Sequence, residues 1–186
     1  MKEFMTLIQK SLDKGYNLLR NLLEWSRSQT GRIQVTPATL YLKSIVDRNV
    51  ALLESNAKAK NINLFSSVGT LSVFADENML DTVIRNLLSN AIKFTPANGK
   101  VEISSQEQDN VVEISISDTG VGIKADDIDK LFRIDVSYST RGTAEEEGTG
   151  LGLLLCKEFI ENNDGTIGAE SEEGKGSRFY IRLPAS

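Results

Sequence analysis

The sequence predicts an α/β (α+β) domain preceded by one long helix of the kind that packs in a bundle. Three observations predict it. Across residues 2–29 the apolar side chains recur at alternating spacings of three and four. From residue 39 onward, segments of helical period are interleaved with short segments of strand period. Residues 147–155 read Glu-Gly-Thr-Gly-Leu-Gly-Leu-Leu-Leu, so three alternate glycines lead straight into an apolar run.

The first helix places Met5, Ile8, Leu12, Leu19 and Leu22 on one seam, with Gly15 and Ser26 at its remaining positions. Leu18, Leu23 and Trp25 widen that face beyond a two-stranded seam, which suits a helical bundle. Such a stripe needs a partner, either the chain's own domain or a second copy. Ser28-Gln29-Thr30-Gly31 breaks the pattern and marks the boundary. A second amphipathic helix is expected over 39–60, on Leu42, Ile45, Val46, Val50, Leu52 and Leu53. Two short strands follow at about 62–68 and 71–75, joined through Gly69 and Thr70.

Asp76 is placed to cap a helix over roughly 77–94, which Pro96 closes. Strands are expected at 100–106 and 110–118, and a short helix at 124–132. The polar segment 133–147 reads as a mobile loop. The glycine stretch opens a helix to about 162, and strands at about 166–171 and 177–183 flank the turn Glu172–Gly176.

A net charge of -5 argues against a nucleic-acid partner. The single cysteine, Cys156, excludes an internal disulfide and fits a reducing compartment. No apolar run approaches the length of a membrane span, so no membrane contact is expected of this chain. There is no histidine, which excludes an imidazole base, a zinc–histidine site or a Ser-His-Asp triad within the chain.

Four stretches carry chemistry. In the helix at 77–94, Asn86, Asn90 and Lys93 are spaced four and three apart and share one face. Two amides and an ammonium offer oxygen to a hard cation and positive charge to phosphates. A merely solvated face would carry better helix formers than two asparagines. Asp118 ends a strand whose Val112, Ile114 and Ile116 alternate with polar residues, so by parity it points inward. A buried carboxylate needs donors. The purine exocyclic amine is one, and its own turn, through Thr119-Gly120-Val121-Gly122-Ile123, is the other. Leu131-Phe132 reads as core, and Arg133 and Arg141 as solvated charges or as lid groups reaching a terminal phosphate. Gly148, Gly150 and Gly152 let a ligand approach a helix start, whose free N–H groups favour phosphate.

The order of these stretches resembles the catalytic, ATP-binding domain of sensor histidine kinases of two-component systems. The wider family includes gyrase, the chaperone of ninety kilodaltons and the mismatch-repair ATPases. The N box resembles Asn86–Thr95, the first glycine box Asp118–Ile123, the F box Leu131–Phe132 and the second glycine box Gly148–Leu153. The resemblance divides the chain at about residue 30. Residues 1–30 resemble the second helix of the dimerisation and phosphotransfer domain, and 31–186 the catalytic domain. It implies a two-layer α/β sandwich, a mixed sheet with helices on one face. ATP and Mg²⁺ are the implied cofactors. Asn86, Lys93 and Arg141 would serve catalysis. Asp118 would accept from the adenine amino group, and Gly120, Gly122 and Ile123 would line the base pocket. Asn90 would give its oxygen to Mg²⁺, Lys93 would face the phosphates, and Phe94 would belong to the same box. Gly148, Thr149, Gly150, Leu151, Gly152 and Leu153 would form the phosphate-side loop, with 133–147 as the ATP lid.

The hydrolase branches similar to this family carry a Glu where Asn86 stands. An amide cannot take a proton at neutral pH, so transfer to a protein histidine is favoured over hydrolysis. The alternatives are an ATP hydrolase or serine-directed kinase of the same fold, or a non-catalytic nucleotide-binding dimerisation module. That histidine is absent here, as is the helix expected to bear it. The chain is therefore expected to start between the two helices and to bind ATP and Mg²⁺ without autophosphorylating. A response-regulator receiver domain is the implied partner, with a homodimer through the first helix. The implied location is cytoplasmic, whether free or as the inner part of a membrane-bound sensor.

Overall fold

The computed structural model describes residue 15, residues 34–133, 141–144 and 146, and residues 150–186. The expected helix over 2–29 and its boundary at Ser28–Gly31 lie, Gly15 aside, outside the described residues. Val35–Ser186 is a compact unit by itself.

The strand β1 (Ala38–Tyr41) runs into helix α1 (Leu42–Ala59). Strands β2 (Asn63–Ser67) and β3 (Ser72–Ala75) follow, then helix α2 (Glu77–Phe94). The hairpin β4 (Lys100–Gln108) and β5 (Val111–Asp118) precedes a single turn of helix, α3 (Ala125–Ile128). Helix α4 (Gly152–Glu161) leads to the closing hairpin β6 (Thr166–Glu172) and β7 (Gly176–Pro184).

Five strands form a mixed sheet in the order β2-β4-β5-β7-β6, with β2 parallel to β4 and the other pairs antiparallel. The parallel pair follows from connectivity. Helix α2 and the ribbon strand β3 separate β2 from β4, and a crossover of that length permits parallel pairing. Period two decides the faces. Val112, Ile114, Ile116, Ile181 and Leu183 are fully buried beneath the helices. On the opposite face Glu113 accepts from Gln106, Arg178 and Arg182, and Ser104 pairs with Ser115. One face is apolar and covered, the other polar and laced with ion pairs, as a two-layer sandwich requires.

Helix α2 packs against both α1 and α4 and sets the layer. Its stripe of Leu80, Val83, Ile84, Leu87, Leu88 and Ala91 is buried at helical spacing. Asp76 caps it, with Oδ1 accepting from the N–H groups of Asn78 and Met79 at 3.0 and 3.1 Å. Asp76 Oδ2 accepts from the Thr36 N–H and hydroxyl, both at 3.0 Å, and the Asp76 N–H donates to Asn163 Oδ1. One residue thus ties the entry of the chain, the start of α2 and the end of α4.

Two expectations are corrected. The helix placed at 39–60 begins at Leu42, because Ala38–Tyr41 pairs as β1 with β3, Leu40 opposite Val73. β-branched Thr39 and aromatic Tyr41 favour the extended form, with Leu40 turned inward. The helix placed at 124–132 closes after Ile128 into turns, with Leu131 buried as core and Phe132 half-buried. The two short strands joined through Gly69 and Thr70 also belong to different sheets, β2 to the five-stranded one and β3 to the ribbon with β1.

Candidate functional site

Three of the four stretches meet around the C-terminal half of α2. Asn86, Asn90 and Lys93 share its half-buried face. Asn86 looks towards the start of α4. A Cβ at Gly152, the first residue of that helix, would lie 3.9 Å from the Asn86 amide oxygen. Cys156, one turn further, is wholly buried, and burial pushes its thiol up to about 12, opposed by a hydrogen bond with the Asn86 side chain. Gly150 stands at φ 73° and Leu151 occupies the N-cap position of α4. Gly148 and Thr149, expected on the phosphate side, lie outside the described residues.

At the C-terminal end of α2 the chain after β5 crosses the helix. The Val121 N–H donates to the Phe94 carbonyl at 3.2 Å. A Cβ at Gly120 would lie 2.5 Å from that carbonyl oxygen and 2.6 Å from Asp118 Oδ1, so only glycine fits between the helix end and the carboxylate. Gly122 sits at φ 68°, and a Cβ there would meet the Glu172 carbonyl at 2.0 Å. The Ile123 N–H donates to Ser171 Oγ at 2.8 Å, so the closing hairpin holds this loop from its other side.

Asp118 lies between these elements, 9% exposed. Its Oδ1 accepts from the N–H groups of Gly120 at 2.8 Å and Ser177 at 3.3 Å. Both sequence alternatives meet here: one oxygen caps the turn, while the other has no donor among the described residues. Burial pushes the carboxyl up to about 6, against the lowering effect of the two N–H groups. A buried acceptor with no donor of its own fits a neutral N–H donor such as a purine amine.

The end of α2 also receives the segment expected to be the lid. The Thr143 N–H donates to the Lys93 carbonyl at 3.1 Å, and the Gly142 N–H to the Glu146 carbonyl at 2.7 Å. The Lys93 ammonium stands 4.6 Å from the centre of the Phe94 ring. Burial lowers its pKa and the charge of Glu146 opposes that. A cleft of about 400 Å³ opens beside it between α1 and α2, with Lys60, Ser89, Lys93 and Glu146 among its walls. Arg133 and Arg141 are exposed.

Lys60, Thr143, Glu146 and Ser177 take part in this site without having been singled out from the sequence. For Lys60 a signal exists: Pro96 has no N–H and leaves the Ile92 carbonyl without its helical donor, so a cation from elsewhere is called for. Among the described residues no group of three or more His, Cys, Asp or Glu is arranged to hold a metal. A hard cation here would draw on amide oxygen, as Asn90 offers, and on ligand oxygens.

The chain is similar to a described family and to several known proteins. The family described as "Histidine kinase-, DNA gyrase B-, and HSP90-like ATPase" matches residues 75–186. The histidine protein kinase DivJ of Caulobacter vibrioides is 33% identical over 186 residues, covering 98% of this chain and 31% of DivJ. The crystal structure of full-length ShkA in complex with AMPPNP superposes with a TM-score of 0.83 at 25% identity, covering 100% of this chain and 39% of that one. The catalytic domain of the histidine kinase ThkA, nucleotide-free, gives 0.69 at 30% identity, covering 82% of this chain and 96% of that one. ThkA in complex with the response regulator protein TrrA shares the fold, with a TM-score of 0.76 at 24% identity, over 100% of this chain and 51% of that one. The chain thus spans less than a third of the length of DivJ and about two fifths of ShkA.

Proposed function

This chain belongs to the histidine kinase-, DNA gyrase B- and HSP90-like ATPase family, and from that premise we propose that it binds ATP with Mg²⁺ and serves transfer of the γ-phosphoryl group to a histidine that the chain itself lacks. The observation that carries the reading is the Asp118 carboxylate, buried, with one oxygen saturated by backbone and the other left to a ligand donor. Asp118 would accept from the adenine amino group, with Gly120, Gly122 and Ile123 bounding the base. Asn90 would hold Mg²⁺ through its amide oxygen. Lys93 and Arg141 would neutralise phosphate charge, and 148–153 would lie along the phosphates. The bound metal supplies charge neutralisation; the chain's own part is to position and to exclude water.

Asn86 favours transfer over hydrolysis. Its amide is engaged towards Gly152 and Cys156 and has no basic lone pair with which to activate water. An ATP hydrolase or a serine-directed kinase on this fold would need another base. Steady-state phosphate release should therefore be far slower than that of a dedicated ATPase.

ShkA was solved with AMPPNP and ThkA with a response regulator. By analogy, this chain would work beside a receiver domain, in the cytoplasm where ATP is available, and would pair with a second copy through the helix at 1–30. No described helix is long and apolar enough to cross a membrane. The direct test is the melting temperature with AMPPNP and Mg²⁺. A rise at saturating ligand is expected, and its absence would overturn the nucleotide reading. For the pairing, Leu19→Glu should shift sedimentation towards the monomer, and a variant that sediments like the parent would remove Leu19 from the interface.

A further inference from the structure

Pro96 ends α2 and deprives the Ile92 carbonyl of the N–H that would close its turn. Lys60, the residue at which α1 ends, fills that place. Its ammonium donates to the carbonyls of Ile92 and Lys93, both at 2.9 Å. It is attracted there by the negative end of the helix as well. The same ammonium reaches two groups of the lid segment, Thr143 Oγ1 at 2.8 Å and Glu146 Oε1 at 2.9 Å. Three N–H bonds thus serve four acceptors, two on α2 and two on the segment 141–146. The Lys60 side chain is only 15% exposed, and its bonds to the two α2 carbonyls and to Glu146 are partly buried, while the one to Thr143 is exposed.

The lid acceptors are fixed in turn. Thr143 Oγ1 lies 3.1 Å from the Lys93 carbonyl and 2.9 Å from that of Thr95. Glu146 Oε2 accepts from the Ala144 N–H at 2.8 Å. The Lys93 backbone therefore receives both Lys60 and Thr143, and its side chain stands beside Glu146.

We propose that Lys60 is a positioning residue of the nucleotide site: it fixes the end of α2 that carries Lys93 and anchors the segment 141–146 to it, so that the phosphate-facing charges keep one place. This rests on the reading of Lys93 as a phosphate-binding residue. Lys60 touches neither adenine nor phosphate in this assignment. Its removal acts through Lys93 and the lid and spares the adenine end, where Asp118 is held by Gly120 and Ser177.

The experiment compares wild type, Lys60→Met and Lys60→Arg. Methionine keeps the stem and removes the donors, while arginine keeps donors and charge. Calorimetry with AMPPNP and Mg²⁺ should show Lys60→Met weakened about tenfold and Lys60→Arg recovering most of the loss. Adenosine affinity should change less than about twofold, because Asp118 is held independently. In the ligand-free chain, trypsin should cut after exposed Arg141 several-fold faster in Lys60→Met (~3-fold or more), as the anchor is lost. Equal losses for adenosine and AMPPNP would mark a general structural defect and overturn the proposal, as would unchanged cleavage after Arg141. Should Lys60→Met fail to fold, the pair Thr143→Val with Glu146→Gln leaves the α2 carbonyls bonded to Lys60 and is read by the same two measurements. A wild type that binds none of the ligands would sink the nucleotide reading, and cleavage after Arg141 would then decide the anchor alone.

Discussion

The Gly120 N–H donates to Asp118 Oδ1 at 2.8 Å across a gap too small for any side chain on residue 120. The bond spends one carboxylate oxygen on the turn and leaves the other, buried, without a donor among the described residues. The end of α2, the end of β5 and the closing hairpin all converge on this carboxylate.

Its protonation should therefore govern both binding and stability. Folding raises the Asp118 pKa from 3.8 to about 6, through burial. Between those values the folded chain holds a proton that the unfolded chain has lost, so stability falls as pH rises through this window and is flat above it. The protonated acid offers no anionic acceptor to an amine. Adenosine, which has no titrating phosphate, should bind more weakly below about pH 6, and Asp118→Asn should abolish that dependence. At neutral pH the substitution should cost about 1–3 kcal/mol of adenosine affinity by calorimetry. Unchanged affinity would remove Asp118 from the base pocket.

Gly120→Ala tests the close approach. The new methyl would sit 2.5 Å from the Phe94 carbonyl, which is backbone and anchored by the Val121 N–H. The loop must move away from α2, at a cost of about 1–3 kcal/mol in unfolding free energy. The shift also carries off the N–H that caps Asp118, so nucleotide affinity should fall along with stability. Thermal melts and AMPPNP titration of one preparation give both numbers.

Asp76→Ala addresses the joint that holds the helical layer. Burial alone would raise the Asp76 pKa, but hydrogen bonds from Thr36, Met79 and Asn78 outweigh it and the net shift is downward. Its stabilisation is thus present above the ordinary carboxylate pKa and is lost as pH falls through the folded value. The alanine variant should lose about 2 kcal/mol at neutral pH in urea unfolding, from the missing cap and its other partners. The difference from wild type should shrink on acidification below about pH 4. A constant difference across pH would mean that the carboxylate is not what stabilises.

What the sequence disclosed depended on the range of the interaction. Helix α2 was legible to the residue because its cap, its stripe and its proline stop are local signals. The inward aim of Asp118 followed from strand parity alone. Strand β1 was not legible: four residues next to a strong helical pattern carry too little periodicity, and their pairing partner, β3, lies more than thirty positions on. The parallel register that sets Asn63 opposite Lys100 is non-local in the same way. Lys60 was hidden for a related reason. Its four acceptors lie 32 to 86 positions away, and only the missing N–H of Pro96 hints that a donor is needed. The sites of Asn86, Asn90 and Lys93 were visible as a face, but not that Asn86 would turn to Gly152 while Lys93 met the lid.

Asn90→Ala separates metal binding from fold. Asn90 is half-buried on the face shared with Asn86 and Lys93. Alanine is the better helix former, so the substitution should leave stability unchanged or raise it by about 0.5 kcal/mol. Adenosine affinity should hold, because in the proposed assignment Asp118 would face the other end of the ligand. Affinity for AMPPNP should lose its dependence on Mg²⁺, since the amide oxygen that would complete the metal's shell is gone. Titrations with Mg²⁺ and with a chelator, in wild type and variant, form a cycle in which only the metal-dependent arm should change. An Asn90→Ala chain that still gains affinity on adding Mg²⁺, to the same extent as wild type, would assign the metal to other oxygens.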